Sequence, residues 1–131
     1  MIGLDTNILV RYLTQDDPVQ SKEAIDIFER RLNERNPGFI SIVAMVETVW
    51  VLERAYGLEH EEIVTAVERL LQANTLIVEH EQIVFSAMIA LKEASGSFSD
   101  AVIAALGAQA GCTQTLTFDR KAVRLPGFQA P

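Results

Sequence analysis

The sequence holds one cysteine, Cys112, and only two histidines, His60 and His80. A lone thiol excludes a disulfide framework and a thiolate zinc site, and it suits a reducing cytoplasm. Each histidine is followed by a glutamate, as at the start of a zinc-binding helix motif, but no second histidine stands about four residues on. His60-Glu61 and His80-Glu81 therefore read as surface or cap residues. Glycines are scattered, so no phosphate-cradling loop exists, and Gly3 reads as a close-packing position. Basic residues are outnumbered, 11 Lys and Arg against 18 Asp and Glu, for a formal charge of −7. A broad basic surface for nucleic acid is excluded; such a partner would need bound cations or a local basic patch to offset the repulsion. Long apolar runs are missing too. The longest uncharged stretch, Ala101 to Phe118, is rich in Gly, Gln and Thr and too polar for a membrane span. The first apolar stretch carries Asp5, Asn7 and Arg11, which excludes a signal peptide.

What is present is a core. Apolar residues make up 49% of the 131 positions, enough for a single domain over 1–131. Met1 to Leu4 reads as a short buried strand. Ile8, Leu9, Tyr12 and Leu13 are spaced for one face of a short helix. Asp16-Asp17-Pro18 is a helix start, an acid at the cap with proline in the first turn. The periodicity predicts that this helix runs from Val19 to about Arg35, where Asn36-Pro37-Gly38 stops it. Phe39-Ile40 reads as a second strand, and Ser41 as the cap of a helix over Ile42 to Tyr56, apolar nearly all round and closed by Gly57. A helix over Glu59 to Gln72 and a strand over Thr75 to Val78 follow. Next come a helix over Glu81 to Ala94, a loop at Ser95-Gly96-Ser97, and a helix over Ser99 to Gly111 with Ile103, Ala104, Gly107 and Ala108 inward. Gln114 to Thr117 reads as a fourth strand, Asp119 to Val123 as a last helical turn, and Pro126-Gly127 as the tail. Strands alternating with helices predict an α/β fold with a parallel sheet covered on both faces. Ligand sites in such sheets lie beyond the carboxyl ends of the strands.

Four acids have a route to that rim. Asp5 ends the first strand, and its alternatives are an Asx turn or a ligand position. Glu47 interrupts a very apolar helix, either on a narrow solvent stripe or satisfied by a partner. Asp100 follows Ser97 at capping-box spacing, and Asp119 precedes the last turn, so each could serve only as a helix-start acid. Taken together they suggest more. Clustered carboxylates stay ionised only if a cation neutralises them. An all-oxygen donor set selects Mg²⁺ or Mn²⁺, which can activate water and stabilise an in-line displacement at phosphorus.

The four segments Asp5-Thr6-Asn7, Ser41 to Glu47, Phe98-Ser99-Asp100-Ala101-Val102-Ile103-Ala104-Ala105 and Leu116-Thr117-Phe118-Asp119-Arg120 resemble the four motifs of PIN-domain nucleases. Among these the chain is most similar to VapC-type toxins of bacterial toxin–antitoxin pairs. The resemblance spans nearly the whole chain, in order. It implies a three-layer α/β/α sandwich with a mainly parallel sheet. It implies a Mg²⁺- or Mn²⁺-dependent ribonuclease, a cognate antitoxin protein, a homodimer and a cytoplasmic location. Carried over by position, Asp5, Glu47, Asp100 and Asp119 are the catalytic and metal-binding acids, and Thr6, Asn7 and Thr117 support them. Some relatives place an extra acid just before the position of Asp100; here Ser97 and Ser99 stand there, which argues against a strong second metal site.

Arg11, Arg120, Lys121 and Arg124 are candidate RNA-phosphate contacts, with ordinary surface charge as the alternative. Arg30, Arg31 and Arg35 read as a solvated helix face, and Trp50 and Tyr56 as core or interface residues rather than base-stacking platforms. Two rival functions remain open: a stand-alone PIN nuclease in RNA processing, and a catalytically silent interaction domain. A phosphatase with an aspartyl nucleophile usually needs a second acid where Asn7 stands.

Overall fold

The computed structural model describes residues 1–93 and 96–131. The chain divides into two compact units, Met1–Glu81 and Gln82–Pro131, taken here in turn.

In the first unit β1 (Ile2–Gly3), β2 (Gly38–Ile40) and β3 (Leu76–Val78) form a sheet in the order β1-β2-β3. Both pairings are parallel, with Gly3 opposite Phe39 and Phe39 opposite Ile77. Gly38 has a steric reason. A Cβ there would stand 2.8 Å from Leu4 Cδ1 and 2.9 Å from Leu32 Cδ1, so a bare backbone lets those side chains close over the strand. After β1, Asp5 caps α1 (Thr6–Thr14), which ends at Gln15 in the left-handed region, φ 54°. The expected start of the next helix is there. Asp17 accepts from the amides of Val19 and Gln20 at 3.1 and 2.9 Å, and Pro18 opens α2 (Pro18–Asp26).

The helix expected to reach Arg35 stops earlier. It widens into a π turn over Ile27–Arg31, and Leu32 leaves it in an extended conformation. Two local forces explain the difference. Leu32 buries its side chain over the sheet, and Asn33 draws the amides of Arg35 and Asn36 onto its own carbonyl, both at 2.9 Å. Val19, at the start of that helix, is exposed.

Ser41 caps α3 (Ile42–Arg54) by accepting from the Ala44 amide at 3.1 Å. α3 is less uniformly buried than its composition predicts. Met45, Thr48, Val49 and Leu52 face the core with Leu9, Ile40, Ile63 and Leu70, while Val43, Glu47, Trp50 and Arg54 form an exposed stripe. α4 (His60–Gln72) is amphipathic as expected, and it starts with a capping box between Glu59 and Glu62.

In the second unit α5 (Glu81–Lys92) buries Val84, Ala87, Met88 and Leu91, the stripe that its periodicity predicts. The expected end of that helix at Ala94 and the loop residue Ser95 lie outside the described residues. α6 (Phe98–Gln109) starts one residue earlier than expected, directly after its cap Ser97. This brings Phe98 into the core. The buried face is therefore Phe98, Val102 and Ala104, while Ile103 and Ala108, expected inward, are exposed.

The fourth strand exists as β4 (Thr115–Leu116), but it pairs with β5 (Phe128–Gln129) in a separate parallel two-stranded sheet. A two-residue strand after Pro126-Gly127 leaves no alternation to read, and only its hydrogen bonds reveal it. The amide of Thr115 donates to Gly127 O at 2.7 Å and that of Thr117 to Gln129 O at 3.0 Å. The expected last helical turn is a 3₁₀ turn over Ala122–Arg124. Every strand pairing is parallel, as an α/β fold requires. Among the described residues no helix is long and apolar enough to cross a membrane.

Candidate active site

The first unit assembles half of the expected residues by itself. Asp5 stands where β1 hands over to α1, in extended conformation, and its Oδ1 accepts from the Thr6 amide at 2.8 Å. The cap role is real, and it leaves Oδ2 without a protein partner among the described residues. Thr6 is nearly buried, and its hydroxyl donates to Glu47 Oε1 on α3 in a short hydrogen bond. One threonine therefore touches the Asp5 carboxylate through its amide and the Glu47 carboxylate through its hydroxyl. Asp5, Thr6, Asn7, Arg11 and Glu47 line a single cleft of about 360 Å³, together with Val51 and Tyr56. The question posed by a charge in an apolar helix is answered here: Glu47 is exposed, on the wet stripe of α3, and is also held by a partner.

Arg11 is fixed in this cleft. Its Nε donates to Gln20 Oε1 at 2.8 Å, and its Nη1 donates to Asp16 Oδ1 and Tyr56 Oη, each at 3.0 Å. Tyr56 donates in turn to Asp16 Oδ2 at 2.8 Å. The hydrogen bond from Tyr56, helped by those from Thr14 and by Arg11's charge, holds the Asp16 carboxyl below its ordinary range against some desolvation. Burial acts to lower the Arg11 value, but Asp16 and Tyr56 outweigh it and raise the net value. Asp16 is not the helix cap, a task that falls to Asp17. Neither Asp16 nor Tyr56 was singled out as a site residue by the sequence. The available signal was the Arg11–Asp16 spacing across a helix end, which a left-handed Gln15 turns back on itself.

The second unit carries the other candidates. Asp100 sits in the first turn of α6, where its amide donates to Ser97 Oγ at 3.1 Å. Only that half of the capping box forms, so the Asp100 carboxylate has no hydrogen-bond or ion-pair partner among the described residues. Asp119 follows β4. Its Oδ1 accepts from the Lys121 amide at 2.8 Å, while its own amide donates to Thr117 Oγ1 at 3.0 Å. Thr117 thus orients the Asp119 turn. Arg120, Lys121 and Arg124 are exposed, with no ion pair among the described residues.

Residues 2–127 match the PIN domain family. The chain belongs to that family. It is also 26% identical over 127 residues to a protein of Aquifex aeolicus (strain VF5) named VapC ribonuclease, across 96% of this chain and 92% of that relative. The PIN-type fold class, α/β with parallel sheets, agrees with the strand pairings described above.

The first-unit acids of this PIN domain suit a hard divalent cation. Among the described residues no three His, Cys, Asp or Glu side chains group to hold a metal ion. Mg²⁺ does not require three, since it keeps several waters and is commonly bound by one or two carboxylates plus substrate phosphate oxygens. Asp5 and Glu47 fit that pattern: both line one cleft, and each has one oxygen engaged and one without a protein partner among the described residues.

Proposed function

We propose that this PIN domain is a metal-dependent endoribonuclease that hydrolyses RNA phosphodiester bonds, and the toxin of a two-protein toxin–antitoxin module. The observation that supports it best is the Thr6 bridge, which presents Asp5 and Glu47 in one polar cleft beside a fixed arginine. Asp5, Glu47, Asp100 and Asp119 are the catalytic acids in this reading, and Mg²⁺ or Mn²⁺ is the ion they hold. When bound, the ion supplies Lewis acidity at the scissile phosphate and lowers the pKa of an attacking water.

The chain's own residues do the rest. Thr6 fixes the Glu47 carboxylate by donating to Oε1, so Oε2 remains either to bind the ion or to orient the water and accept its proton. Water adds to phosphorus, the bond from phosphorus to the leaving sugar oxygen breaks in line, and that oxygen takes a proton from solvent to leave as the alcohol. Thr117 and Asn7 support the acids, and Arg11, Arg120, Lys121 and Arg124 hold the RNA backbone against the acidic background. The two units act as one PIN domain over 1–131, a reading supported by a family match that runs through both. The named relative and the motif order support a cytoplasmic protein with a cognate antitoxin. The exposed apolar side chains, Trp50, Phe85 and Phe118 among them, support a homodimer.

The test is cleavage of a panel of RNAs with Mg²⁺, Mn²⁺ or EDTA by wild type, Asp5→Ala and Asp100→Ala. Cleavage is expected with either metal, none with EDTA, and a loss of at least about 100-fold in both variants. Equal cleavage by all three proteins would sink the proposed site. Growth arrest on expression, absent in the same variants and relieved by a neighbouring gene product, separates a toxin from a housekeeping nuclease.

A further inference from the structure

We propose that Arg11 is the substrate-phosphate ligand of the first-unit cleft, and that Tyr56 and Asp16 are positioning residues that present its guanidinium for that task. The inference rests on the ribonuclease reading for the identity of the substrate, and on the geometry of one unit for everything else. A guanidinium has five N–H donors in a rigid plane. In Arg11 the Nε donor goes to Gln20, and the two Nη1 donors go to Asp16 and Tyr56. Both Nη2 donors have no protein partner among the described residues, and Arg11 lines the same cleft as Asp5, Asn7 and Glu47.

The convergence is more than an ordinary surface ion pair needs. Gln20 comes from α2, Asp16 from the loop before it, and Tyr56 from just beyond the end of α3. Asp16 is itself fully engaged, with Thr14 and Arg11 on Oδ1 at 2.9 and 3.0 Å and Tyr56 on Oδ2 at 2.8 Å. An exposed Arg–Asp pair alone contributes about 0–1 kcal/mol and leaves the arginine free to swing. Here three neighbours fix the plane of the guanidinium and leave one edge unused. That arrangement suits an oxyanion that must be held at one angle. A lysine offers a charge but no fork, so it cannot be held in this way.

The experiment measures binding of a labelled random-sequence single-stranded RNA, with Mg²⁺ present. All variants are placed in an Asp100→Ala background so that the RNA is not cut, and melting midpoints are recorded for each. Arg11→Ala is expected to weaken binding about 10-fold and to reduce the slope of log affinity against log salt by about 0.7, the share of one single-strand phosphate. Arg11→Lys restores the salt slope but no more than about half of the lost binding energy. Tyr56→Phe leaves the charge and the slope unchanged yet weakens binding by about three-fold, an effect that a bulk-charge role would not produce. Arg30→Ala, on the outer face of the first unit, binds as the background does.

Arg11→Ala binding within about two-fold of the background overturns the proposal, as does an equal loss in Arg30→Ala. Wild-type-like binding by Tyr56→Phe overturns the positioning role alone. Failure of the unmutated protein to cut any RNA overturns the nuclease reading, while a selective Arg11 loss in the binding assay still upholds this one.

Discussion

The two acid pairs of this PIN domain are built differently, although the sequence writes them alike. In the first unit Asp5 and Glu47 come from different elements and are joined through Thr6, beside an arginine held by three neighbours. In the second unit each acid belongs to its own helix start: Asp119 is taken up by the amide of Lys121, and the Asp100 carboxylate has no partner among the described residues. A helix N-terminus stabilises an acid whether or not it does chemistry. A hydroxyl that reaches across from another element has no such general reason to be there. The first pair is therefore pre-set by tertiary structure. The second is pre-set only by local turns.

The largest expected effect concerns whether the two regions stand or fall together. Phe98 is among the largest fully buried side chains, and it lies in the second unit, whereas Trp50, the only tryptophan, lies in the first. Phe98→Ala should destabilise by about 3–5 kcal/mol. If 1–131 folds as one domain, Trp50 fluorescence reports that loss in full as a lower denaturant midpoint, in a single transition shared with circular dichroism. An unchanged Trp50 midpoint would break the single-domain proposal and make the two units energetically independent.

The next effect contrasts the two threonines. Thr6→Val keeps the shape of a buried side chain but leaves Glu47 Oε1 without its donor. Loss of a hydrogen bond to a charged group predicts a destabilisation of about 1.5 kcal/mol and a fall in kcat of about 10-fold or more. Thr6→Ser, which keeps the hydroxyl, should recover most of the activity. Thr117→Val removes only an acceptor for the Asp119 amide in an exposed turn, so its effect on stability should stay below about 1 kcal/mol. Single-turnover cleavage and denaturant melts on the three variants check the order. A Thr117→Val protein more impaired than Thr6→Val would reverse the contrast drawn between the regions.

This contrast also marks how far the sequence could be read. The helices and the parallel pairing were legible because each rests on local rules: period, caps at Asp17 and Ser41, and β-branched runs. The acids themselves were singled out through their motif resemblance. What escaped was whatever depends on a distant partner. The hydroxyl of Thr6 meets Glu47 across 41 positions. Tyr56 reaches Asp16 across 40. No spacing rule connects such residues, so Tyr56 looked like a core or interface aromatic and Asp16 like a spare cap. β5 was missed for a related reason, because a two-residue strand is defined by its partner rather than by its own pattern. The early stop at Leu32 and the rotated face of α6 are smaller cases. In both, one large apolar side chain found a core position that the helical period alone did not assign to it.

The smallest expected effect isolates the Arg11 anchor by pH. Asp16 is bound by Tyr56, Thr14 and Arg11 in the folded chain, and its carboxyl titrates below its ordinary 3.8. A depressed carboxylate adds stability that is complete above the unfolded-state value and is lost as pH falls through the folded value. The difference in melting temperature between wild type and Asp16→Asn should therefore be constant from neutral pH down to about pH 5 and shrink toward zero only below 3.8. The other carboxylates are common to both proteins and cancel in the difference. Asp16 adds a negative charge beside the first-unit cleft, which by itself disfavours RNA; what the carboxylate supplies in return is the angle of Arg11. RNA affinity compared at neutral pH should accordingly fall in Asp16→Asn even though that substitution makes the cleft less negative. An affinity that instead rises would mean that bulk charge governs binding here, and that the fixed arginine does not distinguish the first region from the second.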